Sequence, residues 1–196
     1  MPFIFKRLAL FMSIAAVFAA DNKPFKAPAA ADMPHKQTTG QLTIAVDPYT
    51  SGDKVKLAFG KLNPYEHGVL PVLVVMQNDS PKAIQLKNMR VEYVGPHGDR
   101  AVATPANEVK YANPMRHPSS TGGPLPPGIQ IGHKNPLDVW EIEGRSFQAA
   151  MVPAGSAASG FFYFQATLEP GATLYITGLA EAGTGRELVF FEVPLN

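Results

Sequence analysis

Apolar residues recur along most of this chain at every second position. In QLTIAVDPY, Leu42, Ile44 and Val46 alternate with polar or small neighbours, the pattern of a half-buried strand. The stretch 72–77 is apolar almost without a break and predicts a strand covered on both faces. Asn78, Asp79, Ser80 and Pro81 then predict a turn. Ile84 and Leu86 share one face, and Met89, Val91 and Tyr93 continue the alternation shifted by one residue. A β-bulge near Lys87 and Asn88 would restore the register. Gly95-Pro96-His97-Gly98 suits a type I turn, with a returning strand over residues 101–104.

Towards the C-terminus three more alternating runs follow. Phe162, Phe164 and Leu168 form one, Leu174 and Ile176 the next, and Val189, Phe191 and Val193 the last. Glu169-Pro170-Gly171 and Gly183-Thr184-Gly185 separate them, which predicts short turns and antiparallel neighbours. Helical spacing is rare. Val55, Phe59 and Leu62 fit a short helix opened by Ser51 or Asp53 and closed by Gly60, although Val55, Leu57 and Phe59 also alternate. Leu137, Trp140 and Phe147 fit one side of a helical turn. The expected fold is all-β: a two-layer antiparallel β-sandwich, immunoglobulin-like, with one or two short helices and one long Pro/Gly-rich loop.

The N-terminus changes the picture of where this domain resides. Lys6 and Arg7 precede an apolar run over residues 8–18, with Val17 and Ala19 at the −3 and −1 positions of a cleavage site. The run is shorter than the ~20 residues of a membrane span. Residues 1–19 are therefore expected to be a signal peptide. Residues 20–40, rich in Ala, Pro and Lys, are expected to be a flexible linker, and residues 41–196 the folded domain. The chain is expected to be exported, periplasmic or secreted, with no transmembrane span after cleavage. It has no cysteine, so no lipid-modified Cys follows the apolar run and no disulfide staples the fold. A domain of this size buries roughly 70% of its unfolded surface and manages without them.

Charge narrows the partners. Of 17 basic residues, Lys6 and Arg7 leave with the signal, and the 15 remaining face 16 acidic ones, a net charge of −1. No basic stripe survives, so nucleic-acid binding is not expected.

LPVLVVMQNDSPKAIQLKNMRVEYV, together with GSAASGFFYFQ and ATLYITGL, resembles the strands of exported bacterial immunoglobulin-like β-sandwich domains of unknown function. The resemblance covers residues 70–104 and 148–196. Its motifs are structural, and it implies a fold and no catalytic residues.

Signs of catalysis are sparse. The serines in Gly155-Ser156-Ala157-Ala158-Ser159-Gly160 lack the spacing of a nucleophile elbow and precede a strand rather than a helix. Glu141 and Glu143 lie two apart and read as a solvated surface rather than a glycosidase pair. Asp47 and Asp53 are too few for a calcium loop, and a turn with a helix cap explains them better. No cofactor is expected and the chain is not expected to be an enzyme. Two doublets, Met33 with His35 and Met115 with His117, join thioether to imidazole, a soft pair suited to Cu(I). They define an alternative, a periplasmic small-ligand or copper carrier.

The segment YANPMRHPSSTGGPLPPGIQIGHKNP is the strongest candidate for recognition. A connection of this length inside a compact domain is usually functional or disordered. It carries Tyr111, Met115, Arg116, His117, Ile129, Ile131 and His133, and aromatic, Met and Arg residues are enriched at interfaces. The competing reading is a solvent loop across one end of the sandwich. The function expected from the sequence is a non-enzymatic binding module of the cell envelope, with a protein or other envelope partner, engaged through this loop or through an exposed sheet edge.

Overall fold

The computed structural model describes residues 25–109 and 140–196. It is an all-β sandwich, every strand ladder antiparallel, with two short helices. The strands are β1 His35–Thr39, β2 Leu42–Pro48, β3 Leu70–Asn78, β4 Ile84–Gln85, β5 Arg90–Val94, β6 Arg100–Val102, β7 Met151–Val152, β8 Ser156–Phe164, β9 Thr173–Thr177, β10 Ala180–Glu181 and β11 Phe191–Pro194. Helix α1 is Gly52–Phe59 and helix α2 is Trp140–Arg145. One sheet has the order β1-β2-β3-β8 and faces a second of order β11-β9-β5-β6. A small third sheet, β10-β4-β7, closes one end.

β3 organises the interior because it is apolar on both faces. Leu70, Val72, Val74 and Met76 point into the core between the two sheets, beside Val91, Tyr93, Leu174, Ile176, Phe191 and Val193. Leu73 and Val75 point the other way, into a second core with Val55, Phe59, Ile142, Phe161 and Tyr163. Each such side chain contributes about 1.5–3 kcal/mol by leaving water. The sandwich thus carries an extra layer, the two helices, on the outer face of the first sheet.

The helix expected after Asp47 is present. Ser51 occupies the N-cap position of α1, and Gly60 closes the helix at φ 65° and ψ −114°, a positive-φ conformation open to glycine. Val55, Ala58 and Phe59 bury its inner face while Leu57 is exposed. The turn over residues 95–98 closes with Gly98 N–H donating to Gly95 O at 3.0 Å.

Four expectations are corrected. The linker expected over residues 20–40 is part of the domain from Phe25 onward. Ala30 and Met33 are buried in the second core, the Phe25 ring lies 5.5 Å from that of Phe161, and β1 pairs with β2 along its whole length. The outer face of the first sheet has apolar surface that α1 and α2 do not cover, and this segment covers it. No bulge joins β4 to β5. A turn, with Met89 N–H donating to Leu86 O at 2.9 Å, moves the chain from the third sheet to the second, and this resets the face. Trp140 and Phe147 do not share a helical face: α2 ends at Arg145, Trp140 is exposed, and Ile142 is the residue of α2 that enters the core, while Leu137 lies outside the described residues. Finally, β8 and β9 are not neighbours. β8 pairs with β3, whereas β9 lies between β5 and β11, so the 165–172 connection crosses the sandwich.

Candidate functional site

A two-sheet sandwich has two long sides where sheet edges meet, and here they differ. On one side β1 and β11 come together, and Glu192 N–H donates to the Gln37 side-chain oxygen at 2.7 Å. On the other side the edges are β6 and β8. Among the described residues they are bridged at one point, where Thr104 N–H donates to Tyr163 O at 2.7 Å. Beside that contact lies a half-open groove of about 300 Å³.

The groove is built from both edges. Met89, Arg90 and Val91 come from the start of β5, Val102 to Ala106 from the end of β6 and the turn after it, and Phe161 to Tyr163 from β8. Ser146 and Phe147 complete it. The Phe147 and Phe162 rings stack at 5.2 Å and form the apolar floor. Gly160 makes this possible, because the Ser146–Phe147 backbone crosses β8 where a Cβ would lie 2.6 Å from Phe147 N. Phe147 N–H donates to Phe161 O at 3.0 Å, which fixes the crossing. Pro105, which has no N–H, follows the Thr104 contact and ends the strand. The Tyr163 hydroxyl donates to Ile142 O at 2.8 Å and anchors α2. Burial pushes that phenol far above its ordinary range, so it stays protonated.

From the groove's rim, the solvent face of the second sheet carries a row set by strand register, which starts at Val102 and continues through Glu92, Tyr175 and Glu192. Glu92 accepts from Arg90 Nε at 2.8 Å and from Arg100 at 2.9 Å. The hydrogen bond from Arg90, with that from Arg100, holds the carboxyl below its usual range despite opposing burial. Arg100 also lies 5.2 Å from the centre of the Tyr175 ring, and Phe190 packs beside that ring at 5.3 Å.

The groove offers shape, apolar contact and backbone groups. Its side-chain hydroxyl at Ser146 is committed to Glu143 O at 2.6 Å. Asp47 pairs with Lys54 at 2.7 Å, in keeping with a structural role. Next to it the Tyr49 phenol is pushed up to about 12, first by burial and then by Asp47. Ser156 opens β8 directly after a turn. Glu141 and Glu143 lie on α2 rather than on extended chain.

Tyr111, Met115, Arg116, His117, Ile129, Ile131 and His133 lie outside the described residues. The ends of their segment are placed. Val109 is buried in the second core with Ile142, and the turn Ala106–Glu108 packs against α2, with Ala106 in the groove wall. Of the metal candidates, Met33 is buried by packing and His35 sits on β1 opposite Val46. His97 stands in the β5–β6 turn and His67 in a 3-10 turn, Tyr65–His67. Among the described residues no three of His, Cys, Asp or Glu gather as a metal site. The sequence reading missed the groove residues. Their signals were the small Ala101 and Ala103, the Thr104-Pro105 stop and the glycine inside β8, none of which names a ligand.

Comparison with protein-family models and with curated proteins finds no match. Among solved structures, the chain is similar to a functionally unknown protein from Listeria monocytogenes EGD-e, at 12% identity and a TM-score of 0.36 over 82% of this chain and 81% of that one. It is also similar to a Northeast Structural Genomics Consortium X-ray target, at 9% identity and a TM-score of 0.32 over 80% of this chain and 87% of that one. Likeness at this level informs neither the fold nor the chemistry.

Proposed function

We propose that this protein is a non-enzymatic, immunoglobulin-like binding module of the cell envelope, exported by residues 1–19, that engages a macromolecular partner at the open side of the sandwich. The observation that carries the reading is the asymmetry of the two sides. One is closed by the β1–β11 contact, and the other holds a groove with a stacked aromatic floor and an Arg90 rim. Aromatic and arginine groups around a depression are the usual anchors of recognition. The Ser146 and Tyr163 hydroxyls, both given to backbone carbonyls, and the arginine-clamped Glu92 favour binding over catalysis, because a general base needs a free carboxylate or imidazole within reach of a nucleophile. The carrier alternative draws less support, since Met33 is enclosed in the core.

The test is capture from envelope extract by the tagged exported protein, with mass spectrometry of what is retained. Ala103→Leu, which projects a branched side chain into the groove, is run in parallel after circular dichroism shows that it folds. A stoichiometric partner lost with Ala103→Leu supports the reading. A partner held equally by both, or bound metal without any partner, overturns it.

A further inference from the structure

The groove ends at a sheet edge whose backbone has no strand partner among the described residues, where β6 pairs with β5 alone. Ala103 N–H donates to Val91 O at 3.0 Å, and Gly95 N–H donates to Asp99 O at 2.9 Å. Narrow and wide pairs alternate along an antiparallel ladder. Val91/Ala103, Tyr93/Ala101 and Gly95/Asp99 are therefore the hydrogen-bonded pairs, and Arg100 and Val102 turn their N–H and C=O groups away from β5. Thr104 has the same phase and does so visibly, since its N–H reaches Tyr163 O across the seam.

Side chains follow the opposite alternation. Ala101 and Ala103 face inward against the core and, being small, leave room beside them. Arg100 and Val102 face outward, and Val102 is 51% exposed. Charge adds a preference. Arg90 and Arg100 share the single carboxylate of Glu92. Among these three side chains this leaves one positive charge in excess and several guanidinium N–H donors unused.

We propose that the open seam takes an extended peptide of a partner protein, added as a further strand to the free edge of β6. Its apolar side chains enter the groove, and its acidic side chains, at alternate positions, face Arg100 and Arg90. The proposal rests on the groove being the binding site and names what fills it. Backbone pairing to Arg100 and Val102 supplies register, the Phe147–Phe162 floor takes the apolar anchor, and the arginines select the charge.

The probe is a fluorescent nine-residue peptide alternating Val with Asp or Glu, titrated against the full chain by anisotropy, beside a counterpart with Lys in place of the acids. Saturable binding of the acidic probe, at least about tenfold tighter than the basic one, is expected. Val102→Pro removes the N–H that points into the seam and leaves the β5 ladder intact, because edge strands accept proline there. It is expected to weaken the acidic probe at least about tenfold at an unchanged urea midpoint. Arg100→Glu, at an exposed position, is expected to invert the preference between probes. Failure of the acidic probe to bind, or equal binding to wild type, Val102→Pro and Arg100→Glu, overturns the proposal. The two readings separate in the capture experiment. A natural partner lost with Ala103→Leu but kept with Val102→Pro refutes strand addition and leaves the groove as the site; a partner kept with both refutes both.

Discussion

Asn78 holds the third sheet to the sandwich, and its replacement gives a calculable loss. It ends β3 with its side chain fully buried. Its amide nitrogen donates to Lys82 O at 2.8 Å, Pro153 O at 3.0 Å and Val152 O at 3.1 Å, two N–H groups shared among three carbonyls. Its oxygen accepts from Ser80 N–H at 3.1 Å and from Ser80 Oγ at 2.7 Å. One side chain thus ties the end of β3 to the following turn and to β7. In Asn78→Ala each of the three carbonyls loses one donor and keeps another: Ser80 Oγ on Lys82 O, Ser156 N–H on Pro153 O and, by the ladder phase that Leu86 N–H to Ala150 O sets, Ile84 N–H on Val152 O. Each loss is then the net worth of one hydrogen bond, about 1 kcal/mol. The sum of about 3 kcal/mol corresponds to a fall in Tm of about 6–12 °C for a chain of this size. Asn78→Asp keeps the volume but sets a carboxylate against three carbonyl oxygens. The introduced carboxyl is then expected to titrate above its unfolded value of about 3.9. The deficit is full above that raised folded pKa and shrinks as pH falls through it, because the native state then takes up the proton the site favours. Urea unfolding of the full chain from pH 7 to pH 4 measures both. A loss under about 1 kcal/mol in Asn78→Ala, or an Asn78→Asp deficit that does not change with pH, refutes the reasoning.

Two further outcomes follow from particular contacts. Gly160→Ala would drive a methyl group into the Ser146–Phe147 backbone and is expected to cost about 1–3 kcal/mol or more, read as a lower urea midpoint with the groove opened at Phe147. Glu181 is held down to about 2 by hydrogen bonds from Lys82 and Arg186, with a smaller one from Thr184. Its folded pKa is depressed, so its contribution is present above the unfolded value near 4.5 and is lost as pH falls towards about 2. The stability gap between wild type and Glu181→Gln is therefore expected to narrow across that window, as thermal unfolding at each pH would show.

Alternation made the strands legible because it reports directly which faces are buried. Leu42, Ile44 and Val46 sit in the core as their spacing requires, and the continuous run in β3 reflects the two cores it serves. Alternation does not report which strands pair. The 86–89 turn and the 165–172 crossing look in sequence like a bulge and a short turn, since both separate periodic runs by a few residues. Composition misled at 25–39, where Phe25, Ala30 and Met33 are spaced without a period and yet all pack on the second core. The site was least legible. The loop residues singled out for binding lie outside the described residues, and the groove is lined by residues that read individually as core or turn. Its existence depends on β6 and β8 being edges of different sheets on the same side, a property of strand order alone.

Hydrogen–deuterium exchange of the protein with and without its captured partner tests the central claim most directly. If the open seam is the binding site, amides at Val102 and Thr104 and in the Ser146–Phe147 crossing slow on binding, while β1 and β11 are unchanged. Protection on β1 and β11, with none along the seam, contradicts it.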